Sequence, residues 1–388
     1  MRLNGRLALS GKNVEIEICG KNVQSLREVK ATDNGRWIAP PLIDVQVNGF
    51  AGYNLNAEDV TPNDVDGIIR ALWKMGTGFL CPTVTTGSFE RMAKSLGAII
   101  AACNDAEINR SVVGIHVEGP YISPEDGPRG AHAKQHVRKP DWDEFQRWQE
   151  VADGRICMVT LAPEIDGAIP FIEKLKANDI IIALGHTNAT KDDIDAAIKA
   201  GAQLSTHLGN GAHALIPRHP NYIWEQLAAD ELWASLIVDG HHLPPSVVKC
   251  MMRAKGLSRC VLVSDAVSLA GMPPGRYQFT DREVELTPDR CVRLAGTDYL
   301  AGSAIELARG IENSVRFAGI SLEQSVGLAT TQPARLLGMT DEVNIDEGQE
   351  ANLIVFRWDK SACQIDLMMT ILGGEVVYQN KSESKSEG

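Results

Sequence analysis

No CxxC pair occurs anywhere in these 388 residues. The eight cysteines, Cys19, Cys81, Cys103, Cys157, Cys250, Cys260, Cys291 and Cys363, are dispersed, and several sit in apolar runs such as ICMVTLA and CVLVSDA. Such thiols are expected to be buried and reduced, which suits a cytoplasmic protein. A basic excess is also lacking: 38 Lys and Arg stand against 50 Asp and Glu, a net charge of −12. Non-specific nucleic-acid binding needs a basic face, so nucleic acid is not an expected partner. A small anionic substrate needs only a few local cations. No apolar run approaches the ~20 residues that cross a bilayer, so no membrane partner is expected. The opening MRLNGRLALSGKNVEIEI shows no apolar core followed by a small-residue cleavage site. There is no GxSxG elbow, which leaves a serine hydrolase without support, and the Gly-rich GNGAHA lacks the Lys-Ser/Thr of a phosphate-binding loop. Low-complexity linkers are missing, as are repeats other than an alternation of strand-like and helix-like segments.

That alternation fills the middle of the chain. Eight strand-like runs stand at 41–48, 77–84, 112–119, 156–163, 180–187, 203–210, 233–240 and 260–267. Most are continuously apolar, as in a parallel sheet buried on both faces. Helix-like stretches separate them. TPNDVDGIIRALWKMG opens with Thr61 as N-cap and Pro62 in the first turn, and TKDDIDAAIKAGA is similar. Eight β/α units fit a closed (β/α)8 TIM barrel over residues 40–339. The region 268–338 adds a loop or small hairpin and further helices. Both ends read as short strands (NVEIEI, ANLIVFRW, GGEVVYQN), so residues 1–39 and 340–380 are expected to build one small β-sandwich module. The last eight residues, KSESKSEG, read as a disordered tail.

Polar residues gather at the C-terminal ends of the strand-like runs, the face on which barrel enzymes build their sites. Glu118, His186, His207 and Asp265 fall on four different strands. Two imidazoles and a carboxylate are a common catalytic zinc set with an open position for water. Asp265, ending the last strand, is placed to take a proton from water and return it to a leaving amine. His116 precedes Glu118 by two residues and shares its strand face, so it is a further candidate for the site.

These residues also carry a resemblance. PPLIDVQVNG, HVEGPYI, GHTNAT, THLGN, DGHH and VSDA occur in an order similar to that of the N-acetylglucosamine-6-phosphate deacetylases of the amidohydrolase superfamily. The resemblance covers nearly the whole chain. It implies hydrolysis of N-acetylglucosamine 6-phosphate to glucosamine 6-phosphate and acetate. Most amidohydrolases carry His-x-His on the first strand for a second metal, whereas this chain has Gln46-x-Asn48. One divalent metal per subunit is therefore implied, held by Glu118, His186 and His207, with Asp265 as general base and acid. Zinc suits these ligands, and iron, cobalt and manganese are the alternatives. The resemblance further implies substrate contacts from His132 in PRGAH, from Asn210 and Gly211, and from His242, which polarises the amide carbonyl; neighbouring His241 is its competitor. Arg218 matches a phosphate-binding arginine that reaches into the neighbouring subunit, implying a homodimer, and LAGSA (300–304) resembles a loop beside the sugar. The chain departs from the family after His207, where Gly209 replaces an aromatic and His-Pro-Asn-Tyr follows Arg218. That segment bears on substrate choice. Three readings stay open: this deacetylase or its N-acetylgalactosamine 6-phosphate counterpart, another amide hydrolase of the superfamily, and a non-catalytic sugar-phosphate-binding barrel.

Overall fold

The computed structural model describes residues 1–30, 35–279, 282–296 and 300–380. The expected tail, 381–388, lies outside the described residues. Eight parallel strands form one sheet in strict chain order: Leu42–Val47, Thr77–Thr85, Ile115–Glu118, Ile156–Leu161, Ile181–Leu184, Leu204–Ser205, Trp233–Leu236 and Cys260–Leu262. They are numbered barrel strands 1 to 8 below. The sheet closes on itself just past strand 8. Val47 bridges Ala266 in parallel, Asp265 N–H donates to Gln46 O at 3.0 Å, and Asn48 N–H donates to Ala266 O at 2.9 Å. All eight expected strands are present, and several are shorter than the apolar runs. In strand 6 only Leu204 and Ser205 stay in the sheet, because the residues after them turn away to form the site.

The helix Pro62–Trp73 illustrates how the outer ring is attached. Val65, Ile68, Ile69, Leu72 and Trp73 recur at helical spacing and are buried. Burying each such side chain contributes roughly 1.5–3 kcal/mol. Asp64 caps the helix, its carboxylate accepting from the Thr61 N–H at 2.8 Å and from the Thr61 hydroxyl at 2.6 Å. The Thr190 hydroxyl and N–H cap Lys191–Ala200 through Asp193 in the same way.

The two ends of the chain meet in a single seven-stranded sheet, ordered Glu375–Gln379, Gln364–Leu372, Leu353–Asp359, Arg36–Ala39, Arg2–Leu7, Asn13–Cys19 and Asn22–Glu28. It folds over on itself. Val23 N–H donates to Gln349 O at 2.9 Å and Ala351 N–H to Lys21 O at 2.7 Å, so Leu3, Val14, Ile16, Ile18, Leu353, Val355 and Ile371 share one core. This is the expected sandwich. Its longest strand, Gln364–Leu372, has no counterpart in the sequence reading. The region after strand 8 also differs from a loop or small hairpin: Gly275–Phe279, Arg282–Leu286, Cys291–Leu294 and Leu300–Ser303 form a four-stranded antiparallel sheet. All eight cysteines are free; Cys81, Cys260 and Cys291 are buried, whereas Cys19 and Cys250 are exposed. No helix among the described residues is long and apolar enough to cross a membrane.

Candidate metal centre

Barrel strands 3, 5 and 6 each deliver one donor to a common point. Glu118 Oε1 lies 3.2 Å from His186 Nε2 and 3.1 Å from His207 Nε2, and the two ring nitrogens are 3.0 Å apart. All three residues are buried. Ligands around an ion at about 2.0–2.1 Å stand roughly 3.3 Å apart in a tetrahedron, so this spacing fits a small divalent metal. The tautomer of His186 fits as well. Its Nδ1 lies 2.8 Å from the carbonyl oxygen of Pro128, which can only accept, so Nδ1 carries the proton and Nε2 presents its lone pair. Glu118 is held well below the usual carboxylate range: burial pushes it up, and the close approach of the His186 and His207 rings outweighs that.

The loops after these strands are close-fitted around His186. Gly211, at φ +57°, passes so near that a Cβ there would stand 2.6 Å from His186 Nδ1. A side chain at 211 would meet the ring, which is why the segment needs glycine at that point. Three of the site residues themselves hold left-handed backbone: His186 at φ 53°, His207 at 31° and Asp265 at 48°. Such conformations cost of order 1–3 kcal/mol and persist where the surroundings over-determine them. Here the Ser235 hydroxyl accepts from His207 N–H at 2.7 Å, and Gln46 O accepts from Asp265 N–H.

Strand 1 supplies two amides to the same centre. Gln46 Nε2 donates to Glu118 Oε1 at 2.8 Å, and Asn48 Nδ2 donates to Asp265 Oδ1 at 2.6 Å. Burial, then the Glu118 charge, pushes Asp265 up to about 6, while the Asn48 hydrogen bond opposes the rise. His242 Nδ1 sits 2.6 Å from Asp239 Oδ2, and Asp239 Oδ1 accepts from the His241 and His242 N–H groups, each at 2.8 Å. His241 itself turns to the small antiparallel sheet, its Nε2 3.0 Å from Asp289 O. The two neighbours thus have separate partners, and His242 is near enough to Asp265 for its charge to act on that carboxylate.

His132 reaches the cluster, its Nε2 3.2 Å from His186 Nε2 and its Nδ1 2.7 Å from the Thr86 hydroxyl. Asn210 folds back on its own turn, both its backbone and side-chain N–H donating to His207 O at 3.0 and 3.2 Å. Arg218 is exposed on the loop that follows and is not brought to the donors. His116, on the face shared with Glu118, is held between Val45 O at 3.1 Å and the Thr160 hydroxyl at 2.7 Å inside the barrel. Burial pushes it down to about 4, so it is a neutral interior group rather than part of the donor set. Leu300–Ser303 runs beside the end of strand 8, with Val267 N–H donating to Ser303 O at 3.0 Å. Sequence reasoning did not assign Asp239 or Thr86. The DGHH spelling was a signal for the first, since an aspartate three residues before a histidine can accept from its ring; nothing local marks the second.

The amidohydrolase family model matches residues 37–377. The N-acetylglucosamine-6-phosphate deacetylase of Bacillus subtilis is 31% identical over 348 residues, covering 89% of this chain and 85% of that protein. The N-acetylgalactosamine-6-phosphate deacetylase of Escherichia coli O157:H7 is 32% identical over 319 residues, covering 82% of each. The crystal structure of N-acetyl-D-glucosamine-6-phosphate deacetylase from Mycobacterium smegmatis superposes with a TM-score of 0.83 at 27% identity, covering 94% of this chain and 96% of that one. The chain therefore belongs to the amidohydrolase family, and within it to the N-acetylglucosamine-6-phosphate deacetylases.

Proposed function

We propose that this protein is a metal-dependent deacetylase that converts N-acetylglucosamine 6-phosphate to glucosamine 6-phosphate and acetate. The observation that carries this reading is the meeting of Glu118, His186 and His207 within 3.2 Å of one another, beside a second carboxylate, Asp265, that is hydrogen-bonded separately. Glu118, His186 and His207 would hold one divalent ion. Bound there, it supplies Lewis acidity that polarises the amide carbonyl and makes water a better nucleophile. Asp265 takes the proton from the attacking water and returns it to the amine nitrogen as the C–N bond breaks. His242, fixed through Nδ1 by Asp239, offers Nε2 to the carbonyl oxygen. His132 and the Asn210–Gly211 turn line the approach to the donors and contact the sugar phosphate.

Zinc is the metal this reading favours, because two imidazoles and a carboxylate suit it; iron, cobalt and manganese are its competitors. The working unit is a homodimer in which Arg218 crosses to the partner's phosphate. Supporting this, Leu215 is 92% exposed and Trp224 52% exposed on the segment that carries Arg218, an apolar surface suited to cover by a second copy. Eight free cysteines suit work in the cytoplasm. The 4-epimer is the competing substrate, because the relative named for N-acetylgalactosamine 6-phosphate is 32% identical, between the glucosamine enzymes of Bacillus subtilis at 31% and Bos taurus at 33%. Acetate release from the two epimers and from unphosphorylated N-acetylglucosamine, with and without chelator, tests the reading. Chelator-sensitive release from a phosphorylated sugar alone is expected, and equal release from the unphosphorylated sugar would overturn the phosphate requirement.

A further inference from the structure

A carboxylate can only accept, so the short contacts of Asn48 Nδ2 with Asp265 Oδ1 (2.6 Å) and of Gln46 Nε2 with Glu118 Oε1 (2.8 Å) are both N–H donations. Each amide pins one named oxygen of one carboxylate. Asn48 is the only side chain among the described residues that hydrogen-bonds the Asp265 carboxylate. The Asp265 backbone is anchored separately, by its N–H to Gln46 O, and holds φ at 48°, off the ordinary strand path. Asn48 is itself anchored across the barrel seam, its own N–H donating to Ala266 O at 2.9 Å and that of Gly49 to the same oxygen at 3.0 Å. The seam therefore presents a side-chain N–H on an anchored backbone to one oxygen of the Asp265 carboxylate.

Resting on the deacetylase reading, we infer that Asn48 is a positioning residue of the reaction. Its N–H occupies Oδ1 of Asp265 and so turns Oδ2 toward the proton that travels from water to the leaving nitrogen. An aliphatic side chain at 48 would leave Oδ1 of the carboxylate without this donor, and small misplacements of a reacting group cost rate steeply. Gln46 acts on the other carboxylate and bears on metal retention instead, since partners of metal ligands tune metal affinity. The two amides thus separate the proton-transfer group from the ion-holding group.

The test is a double-mutant cycle in the full-length protein with Asn48→Ala, Asp265→Ala and the pair. Asn48→Ala is expected to lower kcat about 10–100-fold with KM within about threefold of wild type, while metal analysis still finds one ion per chain. In the Asp265→Ala background it should lower the residual rate no further. Asn48→Leu, which keeps the size and removes the N–H donor without adding charge, should reproduce the loss of kcat if the alanine variant folds poorly. The inference is overturned by an Asn48 variant that keeps wild-type kcat, by one that loses its metal, or by one that lowers the Asp265→Ala rate by the same factor as it lowers wild type. Should the wild type release no acetate from any amino-sugar phosphate, the deacetylase reading fails, yet the thermal stabilities of the same four proteins still report on the pair: non-additive shifts uphold the Asn48–Asp265 link and additive ones overturn it.

Discussion

The metal cluster and the loop after it differ in nearly every physical respect. Glu118, His186 and His207 are each no more than 6% exposed and lie within 3.2 Å of one another at the ends of three barrel strands, while Leu215 on the loop 209–222 is 92% exposed and Arg218 is exposed beside it. One region is held by the barrel; the other is held by turns at the surface. We propose that the chemistry of amide hydrolysis belongs to the first and the choice of substrate to the second.

The largest effect expected from that contrast is at the donors. Glu118→Ala should abolish metal retention and reduce acetate release by more than about 10³-fold, checked by metal analysis and a coupled acetate assay on the same sample. Asp265→Asn should separate the two properties, keeping one ion per chain while kcat falls about 10²–10⁴-fold, the range of a lost general acid–base group. Loss of the ion in this variant would make Asp265 a ligand and break the division of labour described above. On the loop, Arg218→Ala should raise KM for the phosphorylated sugar about 10–100-fold with little change in kcat, as expected when a charge-assisted contact made equally in ground and transition states is removed. A kcat defect of the same size would place Arg218 in the chemistry instead of in recognition.

How much of this was legible in the sequence follows the same division. The eight apolar runs mark the barrel because parallel strands are buried on both faces, and the donors stand where those runs turn polar. What the pattern does not carry is direction. His116 and His186 both end apolar runs, yet His116 is taken up between Val45 O and the Thr160 hydroxyl, and only packing decides that. Gln364–Leu372 escaped notice because its alternation is irregular, QIDLMMTIL, with a register shift where it pairs with Leu353–Asp359. The four-stranded sheet after strand 8 is made of segments of four or five residues, too short for periodicity to register. The positive φ values of His186, His207 and Asp265 have no sequence signature, since histidine and aspartate at these positions do not by themselves require left-handed backbone.

The smallest expected effect belongs to stability. Asp44, fully enclosed beside the barrel seam, has its pKa raised to about 7 from 3.8 by burial, despite hydrogen bonds from the Ser264 and Gln46 N–H groups. The folded state therefore holds a proton that the unfolded chain gives up. Its contribution is fully present below pH 3.8 and is lost as pH rises through about 7. Asp44→Asn should remove this pH-dependent loss. Its Tm relative to wild type should be about 1–3 °C more favourable at pH 8 than at pH 5. A Tm difference independent of pH would mean that Asp44 stays charged in the fold.

The most direct test of the central claim is a metal titration of chelated protein, with acetate release from N-acetylglucosamine 6-phosphate followed beside bound metal. The expected result is activity that rises linearly and saturates at one ion per chain, with none recovered by Glu118→Ala at any metal concentration. Full metal occupancy without acetate release from either phosphorylated epimer, or activity that requires two ions per chain, would contradict it.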